Sequence, residues 1–162
     1  MMMPTTTTTT SSTTTTKDVT VNNLDLNHIR WSQLPGFDNF DYCVLSVDRP
    51  NKLVDVLFHF HENDPIVLHR HCAVNHTFVI SGEHRLFHAN GDLKEVRPTG
   101  SYTISQPDTT PHRECGGEGG TLVLFSIRGT EGVMYEILDD QENLIAVFDM
   151  DTFAALHAAN AL

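Results

Sequence analysis

The sequence is poor in basic residues, poor in cysteine and free of long hydrophobic runs. Lysine and arginine number 10 against 21 aspartates and glutamates, which gives a formal net charge of −11 at pH 7. A surface of this sign repels phosphate backbones, so we expect no nucleic-acid partner. A bilayer-spanning helix needs roughly 18 or more apolar residues in a row, and because no run approaches this length we expect no membrane partner.

The few cysteines show no pairing pattern. Cys43, Cys72 and Cys115 are odd in number, and none of them belongs to a CxxC pair. The amino terminus also lacks the apolar and basic segments of a signal peptide. We therefore expect free thiols and a cytoplasmic location.

The first residues, MMMPTTTTTTSSTTTT, are of low complexity. Such a segment cannot bury enough apolar surface to offset its ordering entropy, so residues 1–17 are predicted to form a disordered Thr-rich tail. The remainder has the length of one ordinary domain, and residues 18–162 are predicted to fold as a single unit.

Turn sequences interrupt the apolar residues at regular intervals. Short apolar stretches alternate with the segments LPGFDN, DRPN, ENDP, ANGD, RPTG, QPDTTP, GGEGG and DDQEN. Spacing of roughly 8 to 12 residues is typical of an antiparallel sandwich or barrel, so the predicted class is all-β. Asn90-Gly91 predicts a hairpin turn. Only the final segment DTFAALHAANAL favours a helix, capped by Asp149 or Asp151.

Histidines are concentrated in the segment HRHCAVNH, which covers residues 69–76. In a strand His69 and His71 share a face, with Cα atoms about 6.6 Å apart, so both imidazoles can reach one metal ion. His76 could join them only if the chain bends between residues 72 and 75. His112 is a further candidate, because it follows the rigid turn PDTTP.

These residues resemble the two sequence motifs of the cupins. The pattern is HxH, then His76, then Gly82, and later Gly100 followed by PxxxPH, which ends at His112. The resemblance implies a double-stranded β-helix, a jelly-roll barrel, that holds one metal ion. It assigns metal ligation to His69, His71 and His112. His76 stands where most cupins have a glutamate, and both a ligand role and a cavity-lining role stay open.

The carboxyl-terminal segment LDDQENLIAVFDMDTFAAL is similar to the end of small single-domain cupins that include acetylacetone-cleaving and 2,4'-dihydroxyacetophenone-cleaving dioxygenases. This likeness implies that Fe(II) is held by three histidines and that O2 splits a carbon–carbon bond beside a carbonyl. We therefore expect an iron dioxygenase whose partners are O2 and a small carbonyl substrate. His76, Gln106 and Thr77 are the candidate catalytic groups beside the metal, and a homodimer or homotetramer is expected.

Two other functions remain open on the sequence. One is a Zn(II)-dependent lyase, cyclase or isomerase acting on a small carbonyl compound, and the other is a non-enzymatic cupin that binds a metal or ligand as a sensor. Neutral imidazole ligands would leave the ion's charge uncompensated and favour an anionic chelating substrate such as an enolate. The other histidines are expected at the surface, with His59 and His61 on a strand edge and His84 and His88 solvated around the hairpin.

Overall fold

The computed structural model describes residues 28–160, and over this range the chain forms strands and one carboxyl-terminal helix. The predicted disordered tail, residues 1–17, lies outside the described residues. The elements in chain order are β1 Ser32–Leu34, β2 Phe37–Asp48, β3 Leu53–Phe60, β4 His69–His71, β5 Val74–His88, β6 Leu93–Pro98, β7 Tyr102–Ser105, β8 His112–Arg128, β9 Tyr135–Leu138, β10 Leu144–Phe148 and α1 Met150–Asn160.

A curled antiparallel sheet forms the body of the fold, and β8 is its longest strand. The strand order is β1-β2-β3-β8-β4-β9-β10, while β5 pairs with β6, β7 and β8. The 17 residues of β8 therefore contact β3, β4 and β5 along different parts of their length. This topology confirms the predicted all-β jelly-roll class with a short terminal helix.

Glycines allow β5 and β8 to approach closely where both strands bend. A Cβ atom at Gly82 would lie 2.2 Å from the backbone oxygen of Gly120, and both residues have positive φ angles, 78° and 80°. A side chain at either position would be strained, and one at Gly82 would push β5 away from β8. The register of the β5–β8 pair shifts between Val79 and Ser81 and again between Gly82 and His84, and the buried face of β5 changes across this bend.

Two local predictions are confirmed. The Asn90-Gly91 turn joins β5 to β6, where the His88 amide donates to the Asp92 carbonyl at 2.9 Å and Gly91 has a φ of 90°. Asp149 is the helix cap, because its Oδ1 accepts from the Thr152 amide and hydroxyl at 2.8 Å. Helix α1 packs on β2 and β10 and buries Met150 and Phe153.

An aromatic core lies on the inner faces of β2, β3 and β8. Phe58 and Phe60 stack at 5.6 Å, and Phe125 meets Phe58 edge-on at 5.2 Å. None of the three cysteines forms a disulfide within the described chain, and burial raises the pKa of each thiol. No helix within residues 28–160 is long and apolar enough to cross a membrane.

Candidate metal centre

Strands β4 and β8 bring together four buried side chains with metal-binding atoms. His69 lies directly opposite His112 across the two strands, and His71 and Glu114 lie two residues further along their respective strands. Because alternate residues of a strand share a face, all four side chains point to the same side. Four potential ligand atoms, one from each side chain, all lie within 4.8 Å of one another.

The Glu114 carboxylate lies among the imidazole nitrogens. Its Oε1 is 3.1 Å from His112 Nε2 and 3.8 Å from His71 Nε2. Its Oε2 is 4.0 Å from His69 Nε2. Three imidazoles and one carboxylate that converge in this way form a donor set suited to iron, zinc and other divalent ions of the first transition series.

Two details show that the nitrogens are arranged for a cation. The Nδ1 of His69 donates to the Val67 carbonyl at 2.9 Å, which leaves its Nε2 lone pair directed towards the group. The buried Nε2 of His71 has no hydrogen-bond partner among the described residues. An unsatisfied buried polar atom costs roughly 1–3 kcal/mol, and coordination of a metal ion would satisfy it. The residues therefore fit the implied metal.

The protonation states also suit a metal ion. Burial, followed by the neighbouring His112, lowers the pKa of His69 to about 4. Burial likewise holds the pKa of His71 well below its usual value. Burial raises the pKa of Glu114, but His84 and His112 outweigh it and the net pKa lies well below the ordinary range. At neutral pH His69 and His71 are therefore neutral and Glu114 is ionised, as coordination of a divalent cation requires.

Glu114 was not among the residues predicted from the sequence. A signal for it exists, because His112-Arg113-Glu114 has the same two-residue spacing as His69-Arg70-His71. In a strand that spacing places Glu114 beside His112 on the ligand face. The carboxylate of the group thus comes from β8 and not from the position of His76.

His76 lies away from this group, which corrects the expectation that it ligates or assists the metal. Its Nδ1 is 2.5 Å from the hydroxyl of Tyr102, an exposed residue of β7. The chain does break between His71 and Val74, as the prediction required, but the break leaves Asn75 and Thr77 facing inward. His76, between them, therefore faces the other side of β5.

Thr77 and Gln106 do lie near the metal-binding group, at the polar mouth of a cavity. The Thr77 hydroxyl is buried and lies 3.5 Å from Arg97 Nη1. Gln106 is exposed at the rim of the same cavity. The lining of this mouth comprises His71, Thr77, Leu86, Lys94, Arg97, Ser105, Gln106, Pro107, Asp108, His112 and Glu114.

A second, apolar chamber borders the group on another side. It is lined by Leu34, Phe37, Phe40, Phe58, Phe60, Ile66, Val67, His69, His71, Glu114, Phe125, Tyr135, Ile137 and Phe148. Tyr135 crosses edge-on to His71 at 4.9 Å and donates its hydroxyl to Asn75 Oδ1 at 2.5 Å. Burial, followed by the Glu114 charge, raises the pKa of Tyr135 well above its usual value, so it remains a neutral phenol.

His84 is buried, so the expectation that it is solvated was wrong. Its ring stacks on Phe60 at 5.3 Å with an interplanar angle of 2°, and its Nε2 is 3.6 Å from Glu114 Oε2. The buried face of β5 changes across the two register shifts between Val79 and His84, and this places His84 inward. His88 at the hairpin is exposed, as expected.

Comparison with known proteins shows the fold but no close relative. No family model matches the sequence, and no curated protein matches it. An RmlC-like cupin of Ralstonia eutropha JMP134 is 21% identical, with 87% of each chain covered and a TM-score of 0.65. An acetylacetone dioxygenase of Acinetobacter johnsonii is 13% identical, with 95% of this chain and 100% of that one covered and a TM-score of 0.67.

The polyketide cyclase RemF of Streptomyces resistomycificus is 16% identical, with 90% of this chain and 98% of that one covered and a TM-score of 0.53. These proteins share one architecture, and this chain matches it over 87% to 95% of its length. The predicted resemblance is confirmed at the level of the fold: this chain has the double-stranded β-helix of the cupins.

Proposed function

We propose that this protein is a mononuclear metal-dependent dioxygenase that uses O2 to cleave a carbon–carbon bond in a small β-dicarbonyl or hydroxyketone. The observation that carries the proposal is the buried group of His69, His71, His112 and Glu114 with its unpartnered His71 nitrogen. Similarity to an acetylacetone dioxygenase over nearly the whole chain supports this reaction class. Fold alone does not determine chemistry, so the reaction requires a direct test.

The four residues of the buried group would hold the ion, with Fe(II) the expected metal and Zn(II) the alternative. Bound Fe(II) would supply the redox chemistry that O2 requires and would polarise the carbonyl oxygens of the substrate. His69 contributes through Nε2, because its Nδ1 is engaged by the Val67 carbonyl. The hydrogen bond fixes the orientation of the ring.

Glu114 changes the charge argument made from the sequence. With three neutral histidines alone, a divalent ion would keep its full charge, but the carboxylate cancels one unit of it. A monoanionic enolate is still attracted to the remaining charge. Lys94 at the polar mouth adds positive charge, whereas the guanidinium of Arg97 is already paired with Glu95 at 2.8 and 2.9 Å.

The two cavities would bind different parts of the substrate. The apolar chamber beside His69 and His71, about 50 Å³ in volume, suits a small hydrocarbon end of a carbonyl compound, such as a methyl group, and excludes water from it. At the polar mouth, the Thr77 hydroxyl and the Gln106 amide can donate hydrogen bonds to substrate oxygens. A small molecule with adjacent polar and apolar parts matches this arrangement.

The decisive experiment is oxygen uptake with a panel of β-diketones and hydroxyacetophenones. Iron-loaded wild type is expected to consume one O2 per substrate cleaved, and His71→Ala should lose this activity while His88→Ala keeps it. His88 is a suitable control because it is exposed at the end of β5. Turnover by zinc-loaded protein in the absence of O2 would overturn the dioxygenase assignment.

A Zn(II)-dependent lyase, cyclase or isomerase is the second candidate, and Glu114 is the observation that favours it. A carboxylate beside three imidazoles stabilises a redox-inactive ion as well as iron. The similarity to a polyketide cyclase is compatible with this chemistry. The same assay separates the two functions, because a zinc enzyme works without air. Metal binding with no turnover of any substrate under either condition would instead favour a sensor.

A further inference from the structure

A second group of metal-binding side chains lies on strands β2 and β3. Asp41 is directly opposite His59 in the β2–β3 pair, and His61 follows His59 by two residues. Asp41 Oδ2 is 2.9 Å from His61 Nε2 and 3.3 Å from His59 Nδ1. Three potential ligand atoms, one from each residue, all lie within 4.8 Å of one another.

We propose that Asp41, His59 and His61 bind a divalent transition-metal ion of the zinc class, at a site separate from the buried group. Two imidazoles and one carboxylate on a single face supply three ligands, and water can complete the coordination. The side chains of His59, His61 and Asp41 are 39%, 33% and 20% exposed, so an ion can reach them directly from solvent.

The surroundings of Asp41 orient its carboxylate towards the histidines. Gln33 Nε2 donates to Asp41 Oδ1 at 2.9 Å, which leaves Oδ2 for the two imidazoles. Partial burial raises the pKa of Asp41, but hydrogen bonds from His61, Gln33 and His59 outweigh this and the net pKa is lowered. The carboxylate is therefore ionised at neutral pH and available to a cation.

His59 is held in place from two other sides. Trp31 contacts it with ring centroids 5.8 Å apart. Its Nε2 faces Gly120, where a Cβ atom would come within 3.1 Å of that nitrogen. Nδ1, the other nitrogen, faces Asp41 Oδ2. Because ring orientation is set before an ion binds, less conformational entropy is lost on coordination.

This site repeats the local geometry of the buried group. In both, two histidines are two residues apart on one strand, and an acidic side chain comes from the antiparallel neighbour. The two groups share no residue and lie on different strands. An ion held by Asp41, His59 and His61 would connect β2 to β3 and stabilise the folded chain by mass action.

The test is a Zn(II) titration of the metal-free full-length protein against a chromophoric competitor. Wild type is expected to bind one more equivalent of zinc than His61→Gln or Asp41→Asn, whereas His88→Gln should match wild type. His88 is an exposed histidine that has no place in either group. Equal stoichiometry in wild type and in both site variants would overturn the proposal.

This comparison does not depend on the buried group, since it measures a difference of one equivalent whatever the total. A second readout is the melting temperature in the presence of zinc. Zinc should raise the melting temperature of the His71→Ala variant. This rise should be absent in the double variant that carries both His71→Ala and His61→Gln. An equal rise in both would assign the stabilisation to another site. Circular dichroism of each variant establishes that it is folded.

Discussion

His84 Nε2 lies 3.6 Å from Glu114 Oε2, so a fourth imidazole approaches the carboxylate that three imidazoles already surround. His84 comes from β5, whereas the four residues of the buried group come from β4 and β8. Its ring is fixed by stacking on Phe60, and neither of its nitrogens has a hydrogen-bond partner among the described residues. His84 is therefore placed to orient Glu114 without joining the four residues itself.

We expect His84→Phe to weaken metal binding while preserving the stack on Phe60. Partners that orient a ligand typically contribute 10- to 100-fold to metal affinity, so a loss of about tenfold is expected. Competition titration measures the dissociation constant, and His88→Phe is the matched control at an exposed position. An affinity equal to that of wild type would show that His84 serves packing alone.

Removal of any one member of the buried group should release most of its metal. His69→Ala, His71→Ala, His112→Ala and Glu114→Ala each delete one donor of the four, while His76→Ala deletes a residue bonded to Tyr102 instead. The measurement is metal content after purification, made in the His61→Gln background so that only the buried group contributes. Full occupancy in one of the four variants would remove that residue from the site.

The sequence predicted three of the four members of this group because strand alternation acts over short range. His69 and His71 share a face by spacing alone, and the turn PDTTP positions His112 at the start of β8. Which way the chain faces after a break depends on tertiary pairing. The pairing of β5 with β7 and β8 faces Asn75 and Thr77 inward, and the spacing of His76 could not reveal this.

The inward turn of His84 has the same kind of cause. It follows from the register shifts between Val79 and His84, where β5 meets glycines of β8 that are distant in sequence. The hairpin at Asn90 was predictable because its signal is contained in two residues. Features set by one local turn were thus accessible from the sequence, and features set by crossing strands were not.

The metal-free protein should lose stability as the pH falls. Burial lowers the pKa of His69 to about 4 in the folded state, against 6.5 for an unperturbed histidine. Between these values the unfolded chain binds a proton that the folded chain does not, so the free energy of unfolding decreases as the pH falls. The decrease from this residue is at most about 3 kcal/mol.

Urea unfolding of the metal-free protein between about pH 7 and about pH 4.5 measures this dependence. His69→Gln keeps a polar side chain at the same place and should show a shallower decrease. The two curves are expected to differ most at the acidic end. Parallel curves would mean that protonation of His69 does not contribute.

Self-association is expected from the exposed edge of the sheet. Among the strands of residues 28–160, β10 pairs with β9 alone, and its Leu144, Ile145 and Val147 are 59%, 60% and 39% exposed. Apolar edge strands tend to be covered by another chain. Light scattering at micromolar concentration should give the mass of a homodimer or homotetramer, and a monomeric mass would contradict the expectation.

Substitution of Glu114 separates the charge of the buried group from its geometry. Glu114→Gln keeps an oxygen donor of the same length but removes the negative charge, so the dissociation constant for the metal should rise by tenfold or more. At saturating iron, the site then carries one more unit of positive charge, and an enolate substrate should bind more tightly and show a lower KM.

Glu114→Asp is the matched control, because it keeps the charge and shortens the side chain by one methylene. It should weaken metal binding without lowering KM. The experiment combines competition titration with KM measurement on the substrate that the oxygen-uptake panel identifies. If Glu114→Gln binds metal as tightly as wild type, the carboxylate is not a ligand. In that case the group reduces to the three histidines that the cupin motifs predict, and the ion keeps its full charge for the substrate.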